Sequence, residues 1–263
     1  MQFAKVGHAV VHYALRPAPS DLAGAPVMVF LNSLGTDMRI WERVICHFQD
    51  YQILQVDKRG HGLSSGAADS VDELALDVAA LMDRHGLSNA VVCGVSVGGM
   101  ISQSLGVQRP DLVSHLVLCC TGLSIGSSEM WDARIAAVNA NGVGSIADEV
   151  LARWFAPGFK AAQPAAWQGY HTMLSRTPAS GYAATCALIS EANLTEAATG
   201  LMAQCLVVAG TLDQSTPVDV VQALADYLPN AQLEVLENVG HLPCIEAPDE
   251  LAASMRGFLE ETT

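Results

Sequence analysis

Positive charge is what this sequence has least of. Lysine and arginine number 13 against 27 aspartates and glutamates, which leaves a net charge of −14. Only Lys5, Lys58 and Lys160 are lysines. So acidic a surface repels phosphate backbones and anionic membranes, and neither is expected as a partner. It also sets a condition on an anionic substrate, which would need a local cation in its site. No apolar run reaches the ~20 residues that span a bilayer. The opening MQFAKVGHAVVHYALRPAPS lacks the ordered basic, apolar and small-residue zones of a signal peptide. The seven cysteines form no CxxC pair. Cys93, Cys119, Cys120 and Cys205 sit in apolar, strand-like runs and read as buried thiols of a reducing cytoplasm. Cys119 and Cys120 are adjacent, but neighbours on a strand point to opposite faces, which argues against a redox pair. The usual metal-ligand and phosphate-loop patterns are missing too, so no metal or organic cofactor is expected.

What is present is a large core. The 263 residues are 51% hydrophobic and 15% charged, enough for one large α/β domain or a domain with an insertion. Six short apolar runs read as strands: 25–32, 51–57, 90–96, 115–121, 204–210 and 231–237. Most are continuously apolar, as in a parallel sheet covered on both faces. Between them lie amphipathic stretches at 70–86, 97–110 and 217–229. The first carries helix punctuation, with Ser70 placed to cap, Glu73 three residues on, and Gly86 at the end. Such alternation predicts a doubly wound, mostly parallel sheet with helices on both faces. The opening FAKVGHAVVHYAL predicts an antiparallel hairpin at the sheet edge. Strand patterns vanish between about Gly122 and Gly200, a region that holds Trp131, Trp154 and Trp167. The expectation is a core of residues 1–121 and 201–263, with a helical lid at 122–200 over the site.

One serine stands out. Gly94-Val95-Ser96-Val97-Gly98 lies between an apolar strand and a helix, the setting of a nucleophile elbow. There the flanking glycines remove side chains that would collide, and the hydroxyl is lifted clear at the carboxyl edge of the sheet. A serine nucleophile needs a base, and the base needs an orienting acid. Asp213 follows one strand by three residues, and His241 follows the last strand in a Gly-His turn. Together with Ser96 they have the order nucleophile, acid, base at three strand ends. Singly, Asp213 could be a helix cap and His241 a loop residue. The strand end at Cys119-Cys120-Thr121 offers no rival carboxylate. His61, in DKRGHGLS (57–64), reads as a structural turn residue held by Asp57 and Arg59. His8, His12, His47, His85 and His115 read as edge-strand or helix residues, and His171 lies in the lid. An oxyanion hole would draw one N–H from Val97 and one from the loop Asn32-Ser33-Leu34-Gly35-Thr36, where analogy selects Leu34.

With these residues in place the chain resembles the α/β-hydrolase superfamily over its whole length. LNSLGTDMRIW (31–41), DKRGHGLS, CGVSVGGM (93–100), GSSEMWDAR (126–134) and RWFAPGF (153–159) are similar to the 3-oxoadipate enol-lactone hydrolases of the β-ketoadipate pathway. Asn32-Ser33 replaces the common His-Gly of the superfamily's oxyanion loop, and Val97 replaces the enol-lactonases' usual methionine. The resemblance implies a cytoplasmic hydrolase that opens a carboxylate-bearing enol-lactone through a serine acyl-enzyme. It implies Arg134 as the cation for that carboxylate, unless it is a solvated helix residue, with Arg153 second. Trp131 and Trp154 would be pocket walls or lid core. A broader carboxylesterase, a carbon–carbon hydrolase or a perhydrolase could use the same triad, and a ligand-binding receptor could retain it.

Overall fold

A computed structural model describes residues 1–17 and 24–262. The strands are β1 (Gln2–Val6), β2 (Ala9–Arg16), β3 (Val27–Leu31), β4 (Gln52–Val56), β5 (Ala90–Val95), β6 (Val113–Cys119), β7 (Gln204–Gly210) and β8 (Ala231–Leu236). They form one sheet in the order β1-β2-β4-β3-β5-β6-β7-β8. The β1–β2 and β2–β4 pairs are antiparallel and every later pair is parallel. The hairpin therefore lies at the edge, as the opening residues predict. The continuously apolar runs are the central strands because helices cover both of their faces; β3 and β5 are buried at every position.

The expected helices form with nearly the expected ends. Ser70 accepts from Glu73 N at the start of Val71–His85, and Gly86 closes it at φ 62°. The others are Val97–Gln108 and Val218–Tyr227. Between β6 and β7 the regular elements are all helical, chiefly Ser128–Asn141, Ala147–Trp154, Pro164–Ser175 and Ala179–Glu191. No helix of the described residues is long and apolar enough to cross a membrane.

The topology fixes where chemistry can occur. After β3 the chain crosses to β4 on one side, then returns to β5 on the other. The reversal leaves a crevice beyond the carboxyl ends of β3 and β5, where open α/β sheets bind ligands. Leu31 of β3 stands beside Gly94 of β5, so the 32–36 loop and Ser96 leave the sheet side by side. Cys119 of β6 and Gly210 of β7 end at the same edge.

Some histidines differ from expectation. His8 is in the hairpin turn, and His47 follows the short Glu42–Ile45 helix, which stops before reaching it. His115 is on β6, an interior strand because β7 covers its far side.

Candidate active site

Ser96 has φ 59° and ψ −123°, a backbone conformation that costs an L-residue on the order of 1–3 kcal/mol. Its neighbours hold it there. Ser96 N donates to Cys119 O at 2.9 Å, and Ser96 O accepts Thr121 Oγ1 and Gly99 N, each at 2.8 Å. The flanking glycines are required by contact. A Cβ on Gly94 would lie 2.2 Å from Gly98 O, and one on Gly98 would lie 2.4 Å from Leu31 O. The Val97–Gln108 helix starts on the next residue. The first amide of a helix has no acceptor inside it, so Val97 N–H is offered at the crevice. A Gly98→Val substitution is expected to leave little folded protein, seen as loss of soluble expression and of the thermal transition.

Asp213 and His241 meet as their order requires. Asp213 Oδ2 lies 2.8 Å from His241 Nδ1, and both side chains are almost fully buried. Asp213 also accepts Ser215 N at 2.7 Å, Thr216 N at 3.1 Å and Thr216 Oγ1 at 2.6 Å. Burial pushes its pKa up, but the histidine's charge and hydrogen bond and the Thr216 and Ser215 donors outweigh this. The carboxyl stays below its ordinary value and remains a carboxylate. It thus holds the proton on Nδ1 and leaves Nε2 as the basic nitrogen.

Cys120, at the strand end that lacks a carboxylate, has φ 46°. Its sulfur, the Asp213 oxygen and the His241 nitrogen lie within 4.8 Å of one another. Burial first and Asp213 second raise its pKa far above the ordinary thiol range, so it stays protonated and donates to Gly240 O at 3.8 Å.

Glu246 is a residue that sequence reasoning missed. Oε1 accepts Gly240 N at 3.0 Å and Oε2 accepts Ala156 N at 2.8 Å, while His241 N donates to Trp154 O at 2.7 Å. The carboxyl therefore ties the histidine turn to the end of the Ala147–Trp154 helix. Its spacing five residues after His241 was visible, but the partner Ala156 lies 90 residues away. Burial raises its pKa to about 7, against the two N–H donors; the Asp213 charge adds to the rise and the His241 charge opposes it. A folded pKa above the unfolded one favours the protonated form. The group's stabilisation is full below about pH 4.5 and is lost as pH rises through about 7. Glu246→Gln should flatten that part of a thermal-stability profile between pH 4.5 and 8. It should also lower kcat about tenfold, because an amide NH2 then faces a backbone N–H and the histidine turn shifts.

Of the other expected site residues, Trp154 is buried, and a Cβ on Gly35 would come within 3.5 Å of its ring and 3.0 Å of Tyr182. It thus joins the 32–36 loop to the histidine turn. Trp131 is buried with its indole N–H on Ile125 O at 2.7 Å. Arg134 lies over the Trp131 ring at 5.1 Å, and its charge acts on the Tyr182 phenol, opposing the rise in pKa that burial causes. Arg153 donates to Gln214 O at 3.0 Å, next to Asp213. His171 contacts Ser175 on its own helix at 3.4 Å. His61 is fully buried with Nδ1 3.2 Å from Arg59 O. Burial and then the Lys58 charge push its pKa well below the usual range. The Asp57 carboxylate holds the turn through the Leu63 amide, and it also bonds His12 at 2.7 Å and the Met38 amide. Gly62 packs so tightly on its carboxylate that the turn places Leu63 N there.

Residues 26–248 match the alpha/beta hydrolase fold family. The chain belongs to that family. This hydrolase is 34% identical over 238 residues to 3-oxoadipate enol-lactonase 2 of Acinetobacter baylyi, covering 89% of each chain. It is 29% identical to 3-oxoadipate enol-lactonase 1 of the same organism, over 90% of this chain and 89% of the other. Among solved structures, the enol-lactonase from Burkholderia xenovorans LB400 superposes with a TM-score of 0.93 at 30% identity, covering 98% of this chain and all of the other.

Proposed function

We propose that this hydrolase opens 3-oxoadipate enol-lactone to 3-oxoadipate, as a step of aromatic catabolism in the cytoplasm. The observation that carries the reading is the buried Asp213–His241 pair and the strained Ser96 at the same carboxyl edge of the sheet, in a chain similar over most of its length to enol-lactonases. Ser96 Oγ attacks the lactone carbonyl as His241 Nε2 takes its proton. Leu34 and Val97 N–H hold the oxyanion. Collapse expels the enol oxygen, and protonation at carbon turns the enol into a ketone, which makes ring opening nearly irreversible. Water, deprotonated by His241, then attacks the acyl-enzyme and releases the new carboxylate and free Ser96. Every bond made or broken is served by these groups, so the route calls for no cofactor. All seven cysteines are unpaired, which suits a reducing compartment.

Arg134 supplies the cation for the substrate's existing carboxylate. Its charge reaches Tyr182, whose ring lies against Gly35 of the oxyanion loop, so the cation lies near the crevice of an acidic chain. Arg134→Ala is expected to raise KM for the lactone on the order of 10- to 100-fold with kcat changed far less, as loss of a charge-assisted contact requires. An unchanged KM removes Arg134 from this role.

The deciding experiment is turnover of 3-oxoadipate enol-lactone beside a simple aryl ester. Rapid lactone turnover with weak ester turnover supports the assignment. Ester turnover with a silent lactone moves the protein to the general carboxylesterases.

A further inference from the structure

Lys58 is one of only three lysines, and it is buried at 6% exposure. A buried ammonium is costly and persists where it has partners. Here the partners are carbonyls. Lys58 Nζ donates to Ser33 O, and Asn32 O lies 3.4 Å away. No carboxylate forms an ion pair with it among the described residues. The nearest acids are engaged elsewhere, Asp57 with His12 and backbone amides, Asp37 with Arg39.

The choice of carbonyl is informative. Ser33 C=O and Leu34 N–H are the two ends of one trans peptide and point in opposite directions. A cation on the oxygen fixes that plane from behind and draws electron density from the nitrogen, strengthening N–H as a donor. The same oxygen also accepts Thr36 Oγ1 at 3.0 Å and Thr36 N at 3.3 Å, which supports the plane without adding charge. Leu34 N–H makes no hydrogen bond among the described residues and is free for a ligand.

We propose that Lys58 is a positioning residue of the oxyanion hole, acting through the Ser33 carbonyl to aim and polarise Leu34 N–H. The inference rests on the serine mechanism above but not on the identity of the lactone, so any acyl substrate tests it. Burial lowers the lysine pKa to about 7, against the charges of Asp57 and Asp37. His61 also faces Lys58 and is kept uncharged. The polarising charge is therefore lost as pH rises through about 7, while the lone amine still donates.

The test uses p-nitrophenyl acetate with wild type, Lys58→Met, Lys58→Gln and Ser96→Ala. Complete removal of an oxyanion donor costs about 10²- to 10³-fold in kcat. Loss of its support should cost less, roughly tenfold for Lys58→Met and less for Lys58→Gln, which keeps a neutral donor. KM should stay within about twofold. The affinity for butylboronic acid, which forms a tetrahedral adduct on the serine, should fall in step with kcat. Lys58→Met should melt no lower than wild type, since it removes a buried charge. Unchanged kcat in both variants, or weakened boronate binding with no loss of kcat, overturns the inference. So does a loss of activity that follows only a fall in Tm. Wild-type activity in Ser96→Ala sinks the serine mechanism itself, a separate failure.

Discussion

Ser96→Ala abolishes multiple turnover, lowering kcat on the order of 10³- to 10⁶-fold, the range found when a nucleophile acting as part of a unit is removed. The geometry makes this a large effect, because the backbone is bent at one residue in order to expose one hydroxyl. The stability consequence separates that role from packing. Alanine keeps the side-chain branch at φ 59° and keeps the strain. Ser96→Gly also loses activity but relieves the strain of about 1–3 kcal/mol, offset by about 0.5–1 kcal/mol of glycine entropy. The glycine variant should therefore melt higher than the alanine variant by a few degrees, in calorimetry on both proteins. If the glycine variant melts lower, the elbow is not strained. If the alanine variant turns over freely, the nucleophile lies elsewhere.

Asp213→Asn should cost about 10⁴-fold in kcat with KM little changed. The substituted amide can present NH2 to His241 Nδ1, which makes that nitrogen an acceptor and puts the proton on Nε2, where it is useless for taking the serine proton. If instead its oxygen faces His241, the amide NH2 faces the backbone N–H groups of Ser215 and Thr216, which need acceptors. Either orientation also loses the charge that stabilises an imidazolium. Steady-state kinetics from pH 6 to 9 decide the matter. A loss below tenfold would hand the orienting role to another group. Another carboxyl that senses His241 is Glu246, but its two oxygens are held by the Gly240 and Ala156 amides.

The strands and the elbow were legible because each depends on local pattern. Continuous apolar runs marked β3, β5, β6 and β7, and glycine is required at 94 and 98 because a Cβ there would lie 2.2 and 2.4 Å from backbone oxygens. The order Ser96, Asp213, His241 was readable because strands that end at one edge deliver their loops to one place. Glu246, Lys58 and Cys120 were not readable as parts of the site. Glu246 looks like a helix-start acid, Lys58 like a surface charge in a turn, and Cys120 like strand core. Each acquires its role from a partner far away in the chain: Ala156 for Glu246, Ser33 for Lys58, Asp213 for Cys120. Asp57 is a mixed case. It holds the turn after β4 through the Leu63 amide, as the motif suggested, but it also pairs with His12 on β2, 45 residues away.

The sequence alone determined the sheet, the helical stretch between β6 and β7, the strand-end placement of Ser96, Asp213 and His241, and the acidity of the chain. Periodicity and glycine spacing encode which faces are buried and where the backbone must turn, and those are local properties. The tertiary structure decided which loops meet. It set Asp213 rather than Glu246 against the imidazole, sank Lys58 against the Ser33 carbonyl and brought Arg134 to Tyr182 beside Gly35. Those choices depend on distances between segments remote in the chain and on the water they exclude. The same burial then moved the Glu246 and Lys58 pKa values to about 7.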